Sequence, residues 1–329
     1  MPRFRLRTVL DVRPEVSRRY RTQILLLVAS WRAHVTPEGD IPLEVVILGD
    51  PAAPLTEILA SFGAQLLFAE PCAAGRLAPT ANKIAGLLVP ADGDGVWLVD
   101  NDTCFVGPVG LPDNFRDAEV AVAPAGMFRV SDKQWQIIEA ELGLRPPDYA
   151  WTPLNEAYCA QVARRSAMKS RRFYANAGSV LVRSPADFGR RWEAYVERIA
   201  LHFRNHPLGN KHVCRSDMAG LAVALGEVRN FALLPDGWNY RPPSLWACRE
   251  VAPEVRLLHL TDIREPKGYG GRPISRMVED FWRDRMLISL SGAKISSSAS
   301  AFAKVLLGRV HAIIDQFCLD RLGTKVRTE

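Results

Sequence analysis

The sequence predicts an α/β protein built on a single, mainly parallel sheet flanked by helices. Short apolar runs of strand length alternate with helical patterns through the first third of the chain, as strands joined by crossover helices do. Those runs are apolar at nearly every position rather than at every second one, which is how strands covered on both faces read. One of them, Val96-Trp97-Leu98-Val99, runs directly into Asp100-Asn101-Asp102-Thr103. Open α/β sheets bind ligands beyond the carboxyl ends of their strands, so this junction is the expected centre of function.

In chain order, Leu6 to Val12 reads as a first strand and Arg19 to Trp31, around Ile24-Leu25-Leu26-Leu27-Val28, as a buried helix. Leu43 to Leu48 is a strand stopped by Gly49-Asp50-Pro51, Leu55 to Phe62 a helix, and Gln65 to Phe68 a strand. Thr80 to Leu88 is a helix leading into the key strand. Beyond it, Val120 to Ala123 reads as a strand and Ser131 to Leu142 as a helix with Ser131 as its cap. Residues 145–153, rich in Pro and aromatics, form a loop that is either a connector or an acceptor contact. Tyr174 to Ser179 reads as a small-residue turn feeding the strand Val180-Leu181-Val182, and Ser184-Pro185 opens the next helix. A helix from Ser216 to Leu225 and strands near Phe231 to Leu234 and Val255 to His259 follow. Helical patterns at Arg276 to Leu290 and Ala301 to Leu319 bracket a serine-rich, flexible stretch at Gly292 to Ser300. The expected organisation is one catalytic domain over 1–275 with a helical C-terminal extension over 276–329, without internal repeats.

Composition narrows the function classes. With 329 residues, 48% of them hydrophobic, the chain can bury a large core. Its 42 basic against 36 acidic residues give a net charge of +6, too mild for a nucleic-acid partner and without a basic stripe interleaved with aromatics. That excess suits phosphorylated ligands or loose contact with an anionic membrane surface. The six cysteines include no CxxC pair, so reduced thiols are expected rather than a zinc cluster or a disulfide framework. No apolar run is long enough to span a bilayer, and Met1-Pro2-Arg3-Phe4-Arg5-Leu6-Arg7 lacks the apolar core of a signal peptide. A cytoplasmic location is expected, with peripheral membrane contact or dimerisation through the C-terminal helices.

The chemistry concentrates in a few residues. On extended backbone, side chains two apart project to the same side, so Asp100 and Asp102 converge while Asn101 turns away. Convergent carboxylates repel unless a cation lies between them, and a divalent metal holding substrate phosphates is the usual partner. Asp-Asn-Asp is equally good turn chemistry. Asn82-Lys83 precedes the key strand, where a lysine can reach a diphosphate or simply face solvent. Asn176-Ala177-Gly178 is small enough for a ligand to approach the backbone, or for a tight turn. Asp217 follows Ser216 at a helix start, where an acid interacts well with the helix dipole. His259 ends an apolar strand, as a metal ligand or as a hydrogen-bonded core residue.

In this order the residues resemble the GT-A fold glycosyltransferases, nearest to the glycogenin-like and lipopolysaccharide galactosyltransferase-like group, over roughly residues 5 to 270. The shared pieces are Asp100-Asn101-Asp102 after an apolar strand, Asn176-Ala177-Gly178 opening a later one, and Asp217 at a helix start. Leu234-Pro235, Trp238-Asn239-Tyr240, His259 and downstream Lys267 complete the set. Met218 stands where the group usually has Gln, Asp262 where it has Gly, and Pro266-Lys267 reverses the closing motif and lacks its Trp.

The resemblance implies a mixed, mainly parallel Rossmann-like sheet and transfer of a hexosyl group from a nucleotide-diphosphate sugar to an acceptor hydroxyl. It implies Mn²⁺ or Mg²⁺ held by Asp100, Asp102 and His259. Lys83, Asp100, Asn101, Ala177, Gly178 and Lys267 would line the nucleotide sugar, and Asn176 and Asp217 would act on the sugar and acceptor. The acceptor, whether glycan, lipid-linked or small molecule, stays open, as does retention or inversion. A nucleotidyltransferase of related fold and a non-catalytic nucleotide-sugar-binding protein are the alternatives. The first would want a glycine-rich loop with a basic residue near the first strand; the second has no need of a metal constellation.

Overall fold

The structure is a computed structural model that describes residues 3–14, 19–35, 41–51, 53–115, 117–125, 130–147, 172–240 and 255–259. Its first half is a regular run of strand and helix: β1 (Phe4–Asp11), α1 (Arg19–His34), β2 (Leu43–Leu48), α2 (Ala53–Ser61), β3 (Gln65–Ala69) and β4 (Gly95–Val99). Between β3 and β4 the expected helix is mostly tighter: a 3₁₀ helix spans Pro79–Ile84 and only Ala85–Leu88 is α (α3). Then come β5 (Thr103–Phe105), β6 (Val120–Pro124), α4 (Asp132–Leu142) and β7 (Ala175–Val182). The remaining elements are α5 (Pro185–Phe203), α6 (Lys211–Cys214), α7 (Asp217–Leu225), β8 (Phe231–Leu233) and β9 (Leu257–His259). Among the described residues no helix is long and apolar enough to cross a membrane. The two C-terminal helical patterns, Lys267 and the loop at 148–153 lie outside the described residues.

The main sheet has the order β3-β2-β1-β4-β7-β6-β8. Pairs β3·β2, β2·β1, β1·β4 and β6·β8 are parallel, and β7 runs antiparallel to both of its neighbours. This is the mixed, mainly parallel sheet flanked by helices that the sequence predicts. β2, β4 and β7 are buried along their whole length, which explains their uninterrupted apolar runs. Ser131 caps α4, its hydroxyl taking the Gln134 N–H while the Gln134 side chain returns to the Ser131 N–H. The buried thiols of Cys72 and Cys104 are pushed up to about 12 by burial and are inert packing groups.

Two departures from the sequence expectation bear on function. Asn176-Ala177-Gly178 is not a turn before a strand but part of β7 itself. Pairing with β6 is broken there: Val122 faces Val180, yet Ala123 faces Asn176 rather than Ser179. A second, two-stranded sheet was not anticipated: β5 pairs antiparallel with β9, setting Thr103 opposite His259. These are the two places where the sheet is irregular, and both lie against the Asp pair.

Candidate active site

β4 ends at Val99, and the Asp pair converges through a turn rather than through strand alternation. The Thr103 N–H and hydroxyl both donate to the Asp100 carbonyl, at 3.2 and 2.7 Å, folding Asp100-Asn101-Asp102 back into β5. The turn chemistry and the ligand geometry are thus one feature. Asn101 faces away, its Oδ1 taking the Thr8 hydroxyl at 2.6 Å and tying the turn to β1. On the other side the Asp100 N–H donates to the Gly178 carbonyl at 3.0 Å, extending the β4·β7 pairing past Val99 and Ser179.

His259 reaches this turn because β9 is its neighbour. Its Nε2 lies 3.3 Å from Asp102 Oδ1 and 3.8 Å from Asp100 Oδ2, and the residue is only 3% exposed. Gly178 makes room for the ring: a Cβ there would overlap both Cε1 and Nδ1 of His259. The small residue of Asn-Ala-Gly is therefore required by the histidine. The stretch containing Trp238-Asn239-Tyr240 runs beside β9, through the Tyr240 N–H to the Leu257 carbonyl and the His259 N–H to the Tyr240 carbonyl.

A chain of amides fixes the state of that imidazole. The Gly178 backbone N–H donates to Asn176 Oδ1 at 2.9 Å, so this atom must be the oxygen. Asn239 Nδ2 donates to the same oxygen at 2.8 Å, which leaves Asn239 Oδ1 facing His259 Nδ1, also at 2.8 Å. Nδ1 accordingly carries a proton, and Nε2 is the nitrogen turned toward the two carboxylates. Two carboxylates and an imidazole Nε2 converging on one point call for a cation there, a proton on Nε2 or a metal in its place, so the donor set fits a divalent metal. Asn239, though within the motif read from the sequence, has no role there until this contact is seen.

Lys83 and Asp217 complete the cluster. Lys83 Nζ forms an ion pair with Asp100 and stands 3.1 Å from Asp217 Oδ2. The Thr80 hydroxyl donates to the Arg215 carbonyl at 2.9 Å, bringing the 3₁₀ helix against the start of α7. Ser216, not Asp217, caps α7: its hydroxyl takes the Ala219 N–H. The Asp217 carboxylate is thereby released from helix capping and spent on Lys83.

Burial lifts the Asp100 carboxyl above its ordinary value; Lys83 opposes this and the charge of Asp102 adds to it. At Asp102 the same burial is outweighed, chiefly by His259 and then by Lys83, and its carboxyl is held below the usual range. Burial would strip the Lys83 proton, but Asp100 and Asp217 outweigh it and keep the ammonium charged. Like-charged neighbours divide their titration in this way. With Nε2 given to a metal rather than to a proton, three carboxylates against one ammonium leave a formal excess of two negative charges, the charge a dication brings.

A second group, Glu141, His202 and His206, also brings its polar atoms within 4.8 Å of one another. There the Leu208 N–H donates to His206 Nδ1, which places the neutral ring's proton on Nε2. With the nitrogens so used, the group is a helix-end ion and stacking contact rather than a ligand set.

A family model described as "Rhodobacterales glycosyltransferase domain" matches residues 16–212, more than half of the chain. The match takes in Lys83, the Asp pair and Asn176-Ala177-Gly178 and stops short of Asp217, Asn239 and His259. No curated protein matches. Among solved structures, mouse xyloside xylosyltransferase 1 in its apo form is 11% identical, covering 78% of this chain and 96% of that one, with a TM-score of 0.46. The galactosyltransferase LgtC in complex with donor and acceptor sugar analogs is 12% identical, covering 85% and 99%, also at 0.46. Glycosyltransferase GlyE of Streptococcus pneumoniae TIGR4 is 14% identical, at 0.46, with this chain spanning 92% of itself and 63% of GlyE.

Proposed function

The chain belongs to the Rhodobacterales glycosyltransferase domain family, and from that premise we propose that it transfers a sugar from a nucleotide-diphosphate sugar to an acceptor hydroxyl, with a divalent metal at Asp100, Asp102 and His259. The observation that carries the reading is the convergence of His259 Nε2 with the Asp100 and Asp102 carboxylates, the ring being oriented by the Gly178–Asn176–Asn239 relay. The mixed carboxylate and imidazole set, completed by substrate oxygens, favours Mn²⁺ over Mg²⁺. When bound, the metal supplies Lewis-acid neutralisation of the departing diphosphate.

The chain's own residues do the rest. Lys83, held charged, supports the diphosphate from the 3₁₀ helix side. Asn176 uses its Oδ1 within the protein and keeps its Nδ2 donors for a sugar hydroxyl. Asp217 holds a negative charge where positive charge develops at the anomeric carbon, an interaction that strengthens in the transition state. Gly178 serves the site by leaving room for the His259 ring.

Incubation with a panel of nucleotide sugars, with and without Mn²⁺, tests the activity: metal-dependent donor hydrolysis or transfer is expected. Calorimetric titration with UDP or GDP tests the site. His259→Ala should weaken metal-dependent binding, and its metal-free melting temperature should fall only by what an unpaired Asn239 Oδ1 costs, about 1–3 kcal/mol. A large fall in that melting temperature with metal affinity intact would return His259 to a structural role.

A further inference from the structure

Away from the acidic cluster, the end of α5 and the loop leading to α7 form a surface of opposite sign. Between Glu197 and Asp217 the chain carries Arg198, Arg204, Lys211 and Arg215 and no acidic residue. Arg204, Lys211 and Arg215 are exposed and form no ion pair with any described residue. Glu141, the acid packed against this stretch, faces His202 Nε2 at 3.2 Å. Three large hydrophobic side chains are exposed among the described residues, and two of them, Leu201 at 54% and Leu208 at 40%, stand among these cations. They flank the stacked rings of His202 and His206, whose Nδ1 takes the Leu208 N–H at 3.1 Å. The exposure is built in rather than a frayed end. Gln134 of α4 donates to the Leu208 carbonyl at 2.8 Å, the Gly209 N–H to the His206 carbonyl at 2.7 Å, and the Cys214 thiol to the Phe203 carbonyl at 3.2 Å.

We propose that residues 201–215 dock on an anionic lipid bilayer, the exposed cations meeting lipid phosphates while Leu201 and Leu208 enter the boundary of the acyl layer. Cations alone would suit any polyanion. Exposed leucines among them gain free energy only where an apolar phase lies behind the charge, which is the combination of an interfacial anchor. A single-stranded nucleic acid would want aromatic rings presented for stacking, and Phe203 of this stretch is fully buried. The surface also adjoins the site: the Arg215 carbonyl takes the Thr80 hydroxyl at 2.9 Å, and Asp217 opens the next helix. Docking through it holds the acidic cluster close to the membrane.

The test is co-sedimentation of the full chain with vesicles of phosphatidylcholine alone and of phosphatidylcholine mixed with phosphatidylglycerol. Binding to the mixed vesicles only is expected, weakening as salt is raised. Arg204→Gln with Lys211→Gln should bind about 30-fold more weakly, a factor of about five for each charge near an anionic surface. Leu201→Ser with Leu208→Ser keeps every charge and should bind about tenfold more weakly. Arg3→Gln with Arg229→Gln removes two exposed cations elsewhere, so the same net charge is lost and binding should stay near the parent's. No binding of the parent to mixed vesicles, or equal binding to both kinds, overturns the proposal. An equal loss in the Arg3 and Arg229 variant also overturns it, reducing the effect to attraction by net charge. So does parent-like binding of the serine variant, or binding to soluble poly-glutamate as tight as to vesicles, which would mark a surface for acidic peptide instead.

Discussion

Two buried charge clusters draw on the same stretch, residues 83–90, and they are built to opposite rules. Arg7 of β1 is fully buried beside Glu44 of β2, to which Nε donates at 2.8 Å and Nη2 donates again. Nη1 donates to the carbonyls of Gly86 and Val89, both at 2.7 Å, and Nη2 to that of Pro90 at 3.2 Å. The guanidinium's five donors are used, Glu44 also faces Arg5, which pairs outward with Asp92 so that two cations meet two carboxylates, and the carbonyls at the end of α3 are satisfied. The cluster around Asp100 has three carboxylates against one lysine, with an imidazole Nε2 turned toward two of them and the lysine shared between acids. A saturated, neutral cluster holds a fold together; an unbalanced one is completed by something brought from outside.

The sharpest way to break that comparison is to unbalance the first cluster. Arg7→Met leaves Glu44 buried against the partly exposed Arg5 alone, and should cost about 3–5 kcal/mol of stability. Denaturant unfolding measures it. Arg7→Met with Glu44→Leu should recover most of the loss, since both charges then go together. A silent Arg7→Met would show that saturation is not what distinguishes the two clusters.

Asp102→Ala makes the opposite case. It relieves an excess of charge but also removes a carboxylate that His259 and Lys83 stabilise, so the two effects offset and the metal-free melting temperature should change little. Metal-dependent donor turnover should fall by about a thousandfold, the upper range for losing one electrostatic stabiliser. Full turnover in the variant strikes the Asp pair from the site. Asp217→Asn keeps the size and the helix-start compatibility, and Ser216 already provides the cap. Turnover should drop on the order of a hundredfold with donor KM nearly constant, because the charge matters most in the transition state. A variant whose KM rises while kcat stays would place Asp217 in donor binding instead.

The two clusters also differ in how they can be read from sequence. Leu43 to Leu48 and Val96 to Val99 are continuous apolar runs, and strands buried on both faces leave that mark locally. The Asp pair, Lys83, Asn176, Asp217 and His259 stand out as residue types at element ends. Their mutual contacts do not. β5 and β9 are three-residue strands more than a hundred and fifty positions apart, and nothing local announces such a pairing. Asn176-Ala177-Gly178 looks like a turn because small residues favour turns, whereas Gly178 is small because His259 lies on it. Ser216 and Asp217 divide capping and ion pairing between them, which adjacent capping residues cannot reveal until Lys83 is located.

The smallest expected effect falls on Asn239, and it separates support from filling. Asn239 is 3% exposed and touches no carboxylate; it accepts from His259 Nδ1 and donates to Asn176. If it only fills space, Asn239→Leu, of similar volume, costs stability by leaving the Nδ1–H unpaired, about 1–3 kcal/mol, and does nothing else. If it sets the tautomer, the freed ring can move its proton to Nε2, and Mn²⁺ affinity at saturating UDP should fall about 10–100-fold, as for other partners that orient ligand histidines. Asn239→Asp divides the two duties. Its carboxylate still accepts from Nδ1, so metal affinity should stay near the parent's, yet it cannot donate to Asn176 Oδ1 and instead repels it, so stability should fall. Calorimetry of the folded protein and thermal unfolding read the two quantities apart. Equal loss of Mn²⁺ affinity in the Leu and Asp variants would show that the relay does not act through the histidine's proton, and the assignment of Nε2 as a ligand would lose its support.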